Sequence, residues 1–296
     1  MNYGMPYMGS KNQIAKWVID HIPSSDYLYD LFGGGGAITH CACESGKFKH
    51  VIYNELDPIT FKGFDMAIHG KFNNENRWIS REDFHKLKNK DPYVAICFSF
   101  GNNLRNYCYS KQIEKLKKAL HYAICFSDFS LLDELGVNID HNLTGRLKLT
   151  SAIKELLSLN RLEMQNLEAL NRLQNLEALN RLQHLEALNR LQHLERLDLT
   201  NKDYADVQIK ENSVIYCDPP YKNTHKYRVD FNYENFYRWC GKQKQLVIIS
   251  EYAMSQDRFI CIAEKEKISL MSSSNRTTKT EKLFIPKHQY QMYLGE

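Results

Sequence analysis

Four consecutive residues, Asp218, Pro219, Pro220 and Tyr221, carry the most specific chemistry in the chain. They directly follow an apolar segment, 213–217, that has the composition of a buried strand. The Asp218 carboxylate and the Pro219 carbonyl can accept both hydrogens of an exocyclic amine, and the two prolines hold that carbonyl rigidly. Tyr221 adds a ring on which an unstacked base can lie. The tetrad therefore suits methylation of a base amino group, and the simpler alternative is a stiff turn that ends a strand.

Four glycines, residues 33–36, follow a second strand-like segment, 27–32. A glycine turn at such a position allows a nucleoside ligand to approach the backbone closely. The next apolar segment ends in Glu55 and Asp57, and Glu55 lies 19 residues after Gly36, the usual place for a carboxylate that binds a ribose diol. No third glycine completes the fingerprint G-x-G-x-x-G, which disfavours a pyrophosphate cofactor. S-adenosylmethionine, a nucleoside without phosphates, meets these demands, and a solvated loop carboxylate is the alternative for Glu55.

The elements that must position these residues alternate along the chain. Short apolar runs typical of buried strands are separated by segments with helical spacing, such as Ala37–Ser45, which Gly46 terminates, and residues 110–120. This alternation predicts an α/β fold with a mostly parallel sheet. The predicted strands comprise residues 27–32, 50–55, 93–98, 122–126, 213–217 and 245–250.

A nine-residue repeat interrupts this pattern. NLEALNRLQ occurs at 166–174 and 175–183, HLEALNRLQ occurs at 184–192, and the pattern decays into HLERLDLTN at 193–201. Leucine at every third position collects on no single face of an α-helix, but the lack of Gly and Pro and the many Leu, Glu and Ala residues predict a helical excursion. Two interpretations stay open: a spacer of variable copy number, and an arm that packs on a recognition lobe or on a partner.

The composition excludes several classes of protein. With 296 residues, 43% of them hydrophobic, the chain can bury a large core, which excludes collagen-like and low-complexity chains. The formal net charge of +4 is too small to indicate a nucleic-acid partner by itself. The N-terminus has no apolar core and no apolar run reaches the roughly 18 residues that span a bilayer, so we expect a cytoplasmic protein with no membrane partner. No His, Cys or Asp cluster has ligand spacing, which predicts no metal site.

The ordered motifs resemble the Dam-type DNA adenine methyltransferases, especially their stand-alone and phage-type members. The resemblance rests on PYMGSK at 6–11, then DLFGGGG, YNELD, DPPYKNTHKY and FYRW, and it covers roughly residues 5–62 and 200–285. It implies a Rossmann-like S-adenosylmethionine-dependent methyltransferase sheet with an antiparallel strand pair at its end and an inserted, mainly helical recognition lobe. It also implies double-stranded DNA as the substrate, the N6 amino group of adenine as the acceptor, base flipping, and direct in-line displacement without a covalent intermediate.

The resemblance assigns the methyl donor to residues in both parts of the chain. Lys11 also makes physical sense unaided, as a cation for the methionine carboxylate of the donor, although it is otherwise one of 39 basic residues. Asp30 stands where relatives often carry Glu, and Asp203 matches an acid near the adenine of the donor, with a helix N-cap as the equal alternative. The predicted donor-binding residues, with Asp57 included because it follows Glu55, are Tyr7, Lys11, Asp30, Phe32, Gly34, Gly36, Glu55, Asp57, Asp203 and Asp218.

The region between the two halves of the core is the candidate for reading DNA. Residues 98–118 mix aromatic, amide and basic side chains, as do segments that contact phosphates and wedge or stack bases. Arg suits guanine edges and Asn suits adenine edges, and a charged helix followed by a loop is the alternative. The predicted DNA-binding residues are Asn102, Asn103 and Arg105 here, Lys222, Thr224 and Tyr227 in a polar loop after the tetrad, and Arg276 and Lys279 in a hydroxyl-rich cationic segment.

We predict a catalytic core that is split in sequence. Residues 1–64 and 199–296 form its two parts, 65–150 form the target-recognition region and 151–198 form the repeat insertion. Three functions stay open: methylation of adenine in DNA, methylation of the cytosine N4 amino group or of adenine in RNA, and a DNA-binding or assembly module with a vestigial methyl-transfer site. The sequence does not determine the target sequence, the oligomeric state or whether a restriction endonuclease partner exists.

Overall fold

The computed structural model describes residues 3–137, 140, 188–221, 231–270 and 276–295. The chain divides into two compact units, one formed by Met1–Gly70 with Arg190–Glu296 and the other by Lys71–Asn189. Most of the nonapeptide repeat, with the helix predicted for it, lies outside the described residues.

A seven-stranded sheet forms the centre of the first unit. Its strands are β1 Ser25–Asp30, β2 Phe48–Asn54, β3 Leu197–Thr200, β4 Ser213–Cys217, β5 Leu246–Glu251, β6 Phe259–Leu270 and β7 Arg276–Pro286. They lie in the order β3-β2-β1-β4-β5-β7-β6. The first five strands of that order are mutually parallel, whereas β7 is antiparallel to both β5 and β6. The predicted α/β fold, with a mostly parallel sheet and an antiparallel pair at its end, is confirmed.

The described helices are short. Their bounds are α1 Ala15–Asp20, α2 Ala37–Ser45, α3 Pro58–Ile68, α4 Arg81–Leu87, α5 Pro92–Cys97, α6 Lys111–Phe126, α7 Ser130–Glu134, α8 Tyr233–Lys242 and α9 Tyr290–Leu294. Helix α2 has the predicted bounds, and Gly46 ends it in the left-handed conformation at φ 69°.

Both faces of the sheet are covered by apolar side chains. Along β1, Leu28 belongs to a cluster with residues of α1 and α2, whereas Tyr29 belongs to the opposite cluster, which includes Phe236 of α8. Successive side chains of a strand point to opposite faces, so a strand buried on both faces needs a continuous apolar run. This requirement explains why β4 and β5, buried along their whole length, were readable in the sequence.

Two of the predicted strands are wrong. Residues 93–97 fall in α5 and Phe98 caps its end. Pro92 is the first helical residue, and the Asp91 side chain accepts a hydrogen bond from the backbone N–H of Tyr93 at 3.0 Å. Residues 122–126 form the last turns of α6, which buries Ala119, Leu120 and Ala123. The helix predicted at 110–120 is therefore correct but too short. A short apolar run has the same composition in a buried strand and in a buried helix, and periodicity does not separate them.

Three strands of the sheet were not located in the sequence, although the resemblance implied the antiparallel pair. β3 is only four residues long and lies within the last, decayed copy of the repeat, so its Leu residues look like repeat residues. β6 and β7 pair along most of their length, and both contain charged residues. In β6, for example, acidic and basic residues follow one another at Glu264, Lys265 and Glu266. Such polar strands lack the apolar signal on which the prediction relied.

No helix in the described part of the chain is both long enough and apolar enough to cross a membrane.

Candidate active site

Three of the predicted motifs meet at one edge of the sheet. β1 lies between β2 and β4 and is parallel to both, with Leu28 opposite Val51 on one side and Val214 on the other. The chain leaves β1 into the glycine turn, β2 into Glu55 and β4 into the tetrad. The strand order reverses beside β1, and open parallel sheets bind ligands outside the carboxyl ends of their strands at such a switch point.

A buried ion pair joins the N-terminal segment to the tetrad. Lys11 Nζ lies 2.7 Å from each carboxylate oxygen of Asp218, 207 residues away in sequence, and Lys11 is only 6% exposed. Burial and the nearby carboxylate of Glu281 raise the pKa of Asp218, while Lys11 opposes them by stabilising the charged form. The N-terminal lysine motif and the tetrad, which lie in the two separate parts of the predicted core, thus form one site. In this site the ammonium group of Lys11 stabilises the charged form of the Asp218 carboxylate.

The glycine turn is held by aromatic side chains. Gly34 and Gly36 have φ values of 49° and 69°, a left-handed conformation that favours glycine. The Tyr53 hydroxyl donates to the Gly34 carbonyl at 2.8 Å, and a Cβ atom on Gly36 would lie 2.1 Å from the ring of Phe64. The predicted residue Tyr7 also packs here, because a Cβ atom on Gly34 would lie 2.9 Å from its ring. The missing Cβ atoms therefore make room for the rings of the protein itself.

Glu55 lies directly beside this turn. Its carboxylate accepts hydrogen bonds from the backbone N–H of Gly34 and of Asp57, both at 2.8 Å. Burial raises the pKa of Glu55 to about 7, although the two N–H groups favour its charged form. Asp57 has a structural task, since its side chain caps α3 by accepting from the backbone N–H of Thr60 at 2.8 Å. Of the two acids after β2, Glu55 is the one that contacts the turn.

Asp30, the last residue of β1, lies inside the protein. It is 1% exposed, and one of its oxygens accepts from both the backbone N–H and the hydroxyl of Thr39, at 3.2 and 2.7 Å. Burial raises the pKa of Asp30 to about 7. Asp30 thus ties the end of β1 to the first turn of α2 and sets the path of the glycine turn between them.

Phe32 and Asp203 lie next to the same edge. The Phe32 ring stacks on the Tyr204 ring at 5.4 Å between centroids. Asp203 precedes the 3-10 turn Tyr204–Asp206 and accepts from the backbone N–H of Ala205 at 2.9 Å, so the N-cap alternative describes its geometry. The side-chain amide of Asn54 donates to the carbonyls of Leu31 and Lys202, which holds both segments at the end of β2.

The tetrad ends in a tightly held tyrosine. Pro219 is buried and Pro220 half-buried, and Tyr221 is 9% exposed. The Tyr221 ring contacts Tyr252 edge-on at 4.6 Å between centroids, and Lys11 Nζ lies 4.7 Å from the centroid of the Tyr221 ring. The ammonium group of Lys11 therefore contacts two of the four residues of the tetrad.

Two polar residues of the site were not predicted from the sequence. The carboxylate of Glu281, in β7, accepts hydrogen bonds from the Tyr221 hydroxyl and, at 2.9 Å, from the hydroxyl of Ser250 in β5. Glu281 Oε1 also lies 3.8 Å from Lys11 Nζ. The available signal was a Glu two residues before the apolar run 283–285, and it could not be interpreted while β7 itself was unrecognised.

The predicted base readers lie on a tight loop of the second unit. Ser99 and Tyr107 form an isolated antiparallel bridge that closes this loop. Asn102 has a positive φ of 56°, and the side-chain oxygen of Asn103 accepts from the backbone N–H of Arg105 at 2.8 Å. The three predicted readers thus lie within four consecutive residues of a loop that this hydrogen bond and the bridge between Ser99 and Tyr107 brace.

The remaining predicted DNA contacts are described only in part. Lys222, Thr224 and Tyr227 lie outside the described residues. Arg276 and Lys279 belong to β7, where they are paired with Leu270 and Lys267 of β6. Within the described ranges, no group of three or more His, Cys, Asp or Glu side chains could hold a metal ion.

Comparison with known proteins defines the class of this fold and site. The profile of the D12 class N6 adenine-specific DNA methyltransferases matches residues 7–291. The chain belongs to this family, and it is an adenine-specific DNA methyltransferase. The matched range includes Lys11, the glycine turn, the tetrad and Glu281.

Other comparisons add little. A search of curated proteins gives no match. Among solved structures, the chain is similar to a protein of Haemophilus influenzae with a provisional description as a methylase, at 12% identity and a TM-score of 0.32, over 93% of this chain and 86% of that one.

The residues at the sheet edge fit the S-adenosylmethionine-type methyl donor that this family requires. Two carboxylates, Asp218 and Glu281, surround the single ammonium group of Lys11, so the described cluster has an excess of negative charge. Such a cluster is complementary to the positive sulfonium group of the donor. Glu55 adds a carboxylate beside the glycine turn that can accept from hydroxyl groups.

Proposed function

We propose that this protein transfers a methyl group from S-adenosylmethionine to the N6 amino group of adenine at a specific sequence of duplex DNA. The single observation that carries this proposal is the contact of Lys11 with Asp218, because it joins the proposed donor-binding segment to the proposed acceptor-binding tetrad. The position of both beside the glycine turn, at the switch point of the sheet, supports the same assignment.

The donor-binding residues have separate tasks in this proposal. Glu55 accepts from the ribose hydroxyls, Lys11 faces the methionine carboxylate, and Phe32 with Asp203 lies by the adenine of the donor. Tyr7, Gly34 and Gly36 shape the turn, whereas Asp30 and Asp57 act through the backbone that they hold. The bound donor supplies an electrophilic methyl group on a positively charged sulfur.

The tetrad holds the acceptor. The amino nitrogen of adenine shares its lone pair with the ring and is a poor nucleophile. The Asp218 carboxylate and the Pro219 carbonyl accept its two hydrogens, which favours a pyramidal nitrogen with an available lone pair. Tyr221 stacks on the extruded base, an interaction of about 1–3 kcal/mol per base.

The reaction is a direct in-line displacement in this proposal. The residues of the site would hold the amino nitrogen in line with the methyl group of the donor, and the protein itself would form no covalent bond. Methylation leaves the nitrogen with one proton too many, and Asp218 Oδ receives it. The raised pKa of Asp218 suits this step, because a carboxylate with a higher pKa is a stronger base and takes the proton more favourably.

The second unit recognises the target sequence. Asn102, Asn103 and Arg105 read base edges, and the contacts that brace their loop support this role, since an ordered loop loses less entropy on binding. Lys222, Thr224 and Tyr227 close over the extruded base, while Arg276 and Lys279 contact phosphates. Residues 65–150 form the target-recognition region and residues 151–198 the repeat insertion.

Nucleoside mass spectrometry tests the acceptor. Duplex DNA of random sequence is incubated with the protein and deuterated S-adenosylmethionine, digested to nucleosides and analysed, with single-stranded RNA as a parallel substrate. We expect labelled N6-methyl-2′-deoxyadenosine from the DNA and no labelled nucleoside from the RNA. Labelled N4-methylcytosine, or transfer to RNA alone, would contradict the proposed acceptor, and the absence of any transfer would contradict the proposed function as a whole.

A further inference from the structure

Glu281 is a buried charge that the proposed reaction does not use. It is 2% exposed and lies in β7, with Lys265 of β6 opposite it in the hairpin. Taking a carboxylate out of water costs several kcal/mol unless charged and hydrogen-bonding groups compensate for it. The groups that compensate are those of the site: the hydroxyls of Tyr221 and Ser250 donate to Glu281, and the ammonium group of Lys11 lies 3.8 Å away.

These contacts fix the Tyr221 ring from three directions. Its hydroxyl is held by Glu281 and lies 3.4 Å from Ser250 Oγ, its edge meets Tyr252, and its face is near Lys11. A ring attached only through its Cα–Cβ bond can turn and tilt, whereas a ring that is also anchored at its hydroxyl keeps one orientation. The surface on which the base stacks is therefore set in advance by a residue of another strand.

The same carboxylate changes the charge balance of the site. Lys11 makes close contact with Asp218 at 2.7 Å and a longer contact with Glu281 at 3.8 Å, so one positive charge serves two negative ones. Glu281 disfavours the charged form of Asp218 and thereby raises the pKa of Asp218. The charged or titratable groups of the described residues that interact with Asp218 are Lys11, Asp30, Tyr216, Cys217, Tyr221, Glu251, Tyr252 and Glu281.

We propose that Glu281, assisted by Ser250, is a positioning residue for methyl transfer: it anchors the Tyr221 hydroxyl and sets the charge state of the Lys11–Asp218 pair. The inference rests on the proposed function, because it assumes that Tyr221 and Asp218 hold the acceptor base. Glu281 itself touches neither substrate nor donor in this account and acts through its neighbours.

A double-mutant cycle tests the anchoring role. The single-turnover rate of methyl transfer to duplex DNA is measured for the wild-type protein, Glu281→Gln, Tyr221→Phe and the double variant at saturating donor. Each single variant should lose about tenfold in rate, the size expected when a charge-assisted hydrogen bond is weakened or removed. The rate of the double variant should be only slightly below that of the slower single variant, because both substitutions act on the same hydrogen bond between Tyr221 and Glu281. Losses that multiply to about a hundredfold would contradict the anchoring role.

The pH profile tests the charge role, which a purely structural residue would not affect. Asp218 must be ionised to accept the amino hydrogens, so the rate falls at low pH as Asp218 becomes protonated. Glu281→Gln removes a neighbouring negative charge and lowers the pKa of Asp218, so the acid limb should move to lower pH. Glu264→Gln is the matched control: it removes an exposed carboxylate of the same hairpin, paired with Lys282, and should leave the limb in place. An unchanged limb in Glu281→Gln would contradict the charge role.

Two further outcomes are distinguishable. If Glu281→Gln does not fold, as judged by thermal unfolding, the cycle is run with Tyr221→Phe and Ser250→Ala, which each remove one hydroxyl that contacts Glu281. If the loss of rate in the double variant is smaller than the product of the two single losses, the inference is supported. If the two losses multiply, or if neither variant loses rate, the inference is overturned. A wild-type protein that transfers no methyl group to adenine contradicts the proposed function, whereas an active wild type with an equally active Glu281→Gln variant contradicts this inference alone.

Discussion

Asp218, Glu55 and Asp30 are among the acids of the first unit whose pKa values are raised by burial, but they face different partners. Asp218 faces an ammonium group, Glu55 faces two backbone N–H groups, and Asp30 faces Thr39. Of these three acids, only Asp218 has a positive charge in contact, and that charge favours the ionised form against the effect of burial. Residue environment, rather than residue type, therefore separates the proposed acceptor group from the two acids that shape the turn.

Asp30 makes the stability of the protein depend on pH. Its pKa is about 7 in the folded state and about 4 in an unfolded chain, so between these values the folded state binds more protons. The free energy of unfolding should therefore fall as the pH rises from about 4 to about 7. Asp30→Asn should remove part of this fall, on the order of a few kcal/mol, while Glu55 retains its own share.

Urea unfolding of the donor-free protein at several pH values measures this dependence. Comparing slopes rather than absolute stabilities cancels any constant cost of the amide group in the variant. Equal slopes for the wild-type protein and Asp30→Asn would show that Asp30 is ionised in the folded state, contrary to the effect of its burial.

At the scale of elements, the glycine turn depends on close packing as well as on backbone conformation. Gly36 and Gly46 both have a φ of 69°, but a Cβ atom on Gly36 would lie 2.1 Å from the Phe64 ring, whereas nothing lies within 4 Å of a Cβ atom on Gly46. Both glycines border α2, so the two positions form a matched pair.

Gly36→Ala should destabilise the protein far more than Gly46→Ala. The control carries only the backbone strain of a left-handed residue, about 1 kcal/mol. The turn variant adds the overlap with Phe64, for a total of about 2–4 kcal/mol. Urea unfolding checks the difference, and equal losses in the two variants would mean that the Phe64 ring moves aside without cost.

The sequence predicted the elements that have strong local signals. DLFGGGG and DPPY mark the ends of β1 and β4, and the glycines and prolines there have consequences that do not depend on the rest of the fold. The runs 93–98 and 122–126 were assigned wrongly because the choice between strand and helix depends on what covers them. Glu281 could not be assigned because its role exists only once β7 lies beside β5, 30 residues earlier in the chain.

At the scale of the whole molecule, the proposed donor site is assembled from two distant parts of the chain. Its residues lie between Tyr7 and Asp57 and between Asp203 and Asp218, and they belong to the unit formed by Met1–Gly70 and Arg190–Glu296. The nonapeptide repeat at 166–201 lies between these parts in sequence and contributes none of them.

Deletion of residues 175–183, one complete repeat, should therefore preserve donor binding. Isothermal titration calorimetry with S-adenosylmethionine should give a dissociation constant within about threefold of the wild-type value, because the deletion removes no proposed donor contact. Loss of even one contact worth 1.4 kcal/mol would raise the dissociation constant about tenfold. A deletion variant that is unfolded, as judged by circular dichroism, would show that the repeat belongs to the core.

The central claim is that Asp218 holds the amino group that is methylated, and Asp218→Ala tests it most directly. Single-turnover transfer of labelled methyl groups to duplex DNA is measured together with donor affinity, DNA affinity and thermal unfolding. The account predicts a folded variant that still binds DNA but loses at least about a hundredfold in transfer rate, the size typical of a lost preorganised acceptor. Transfer to adenine at a rate near that of the wild-type protein would contradict it.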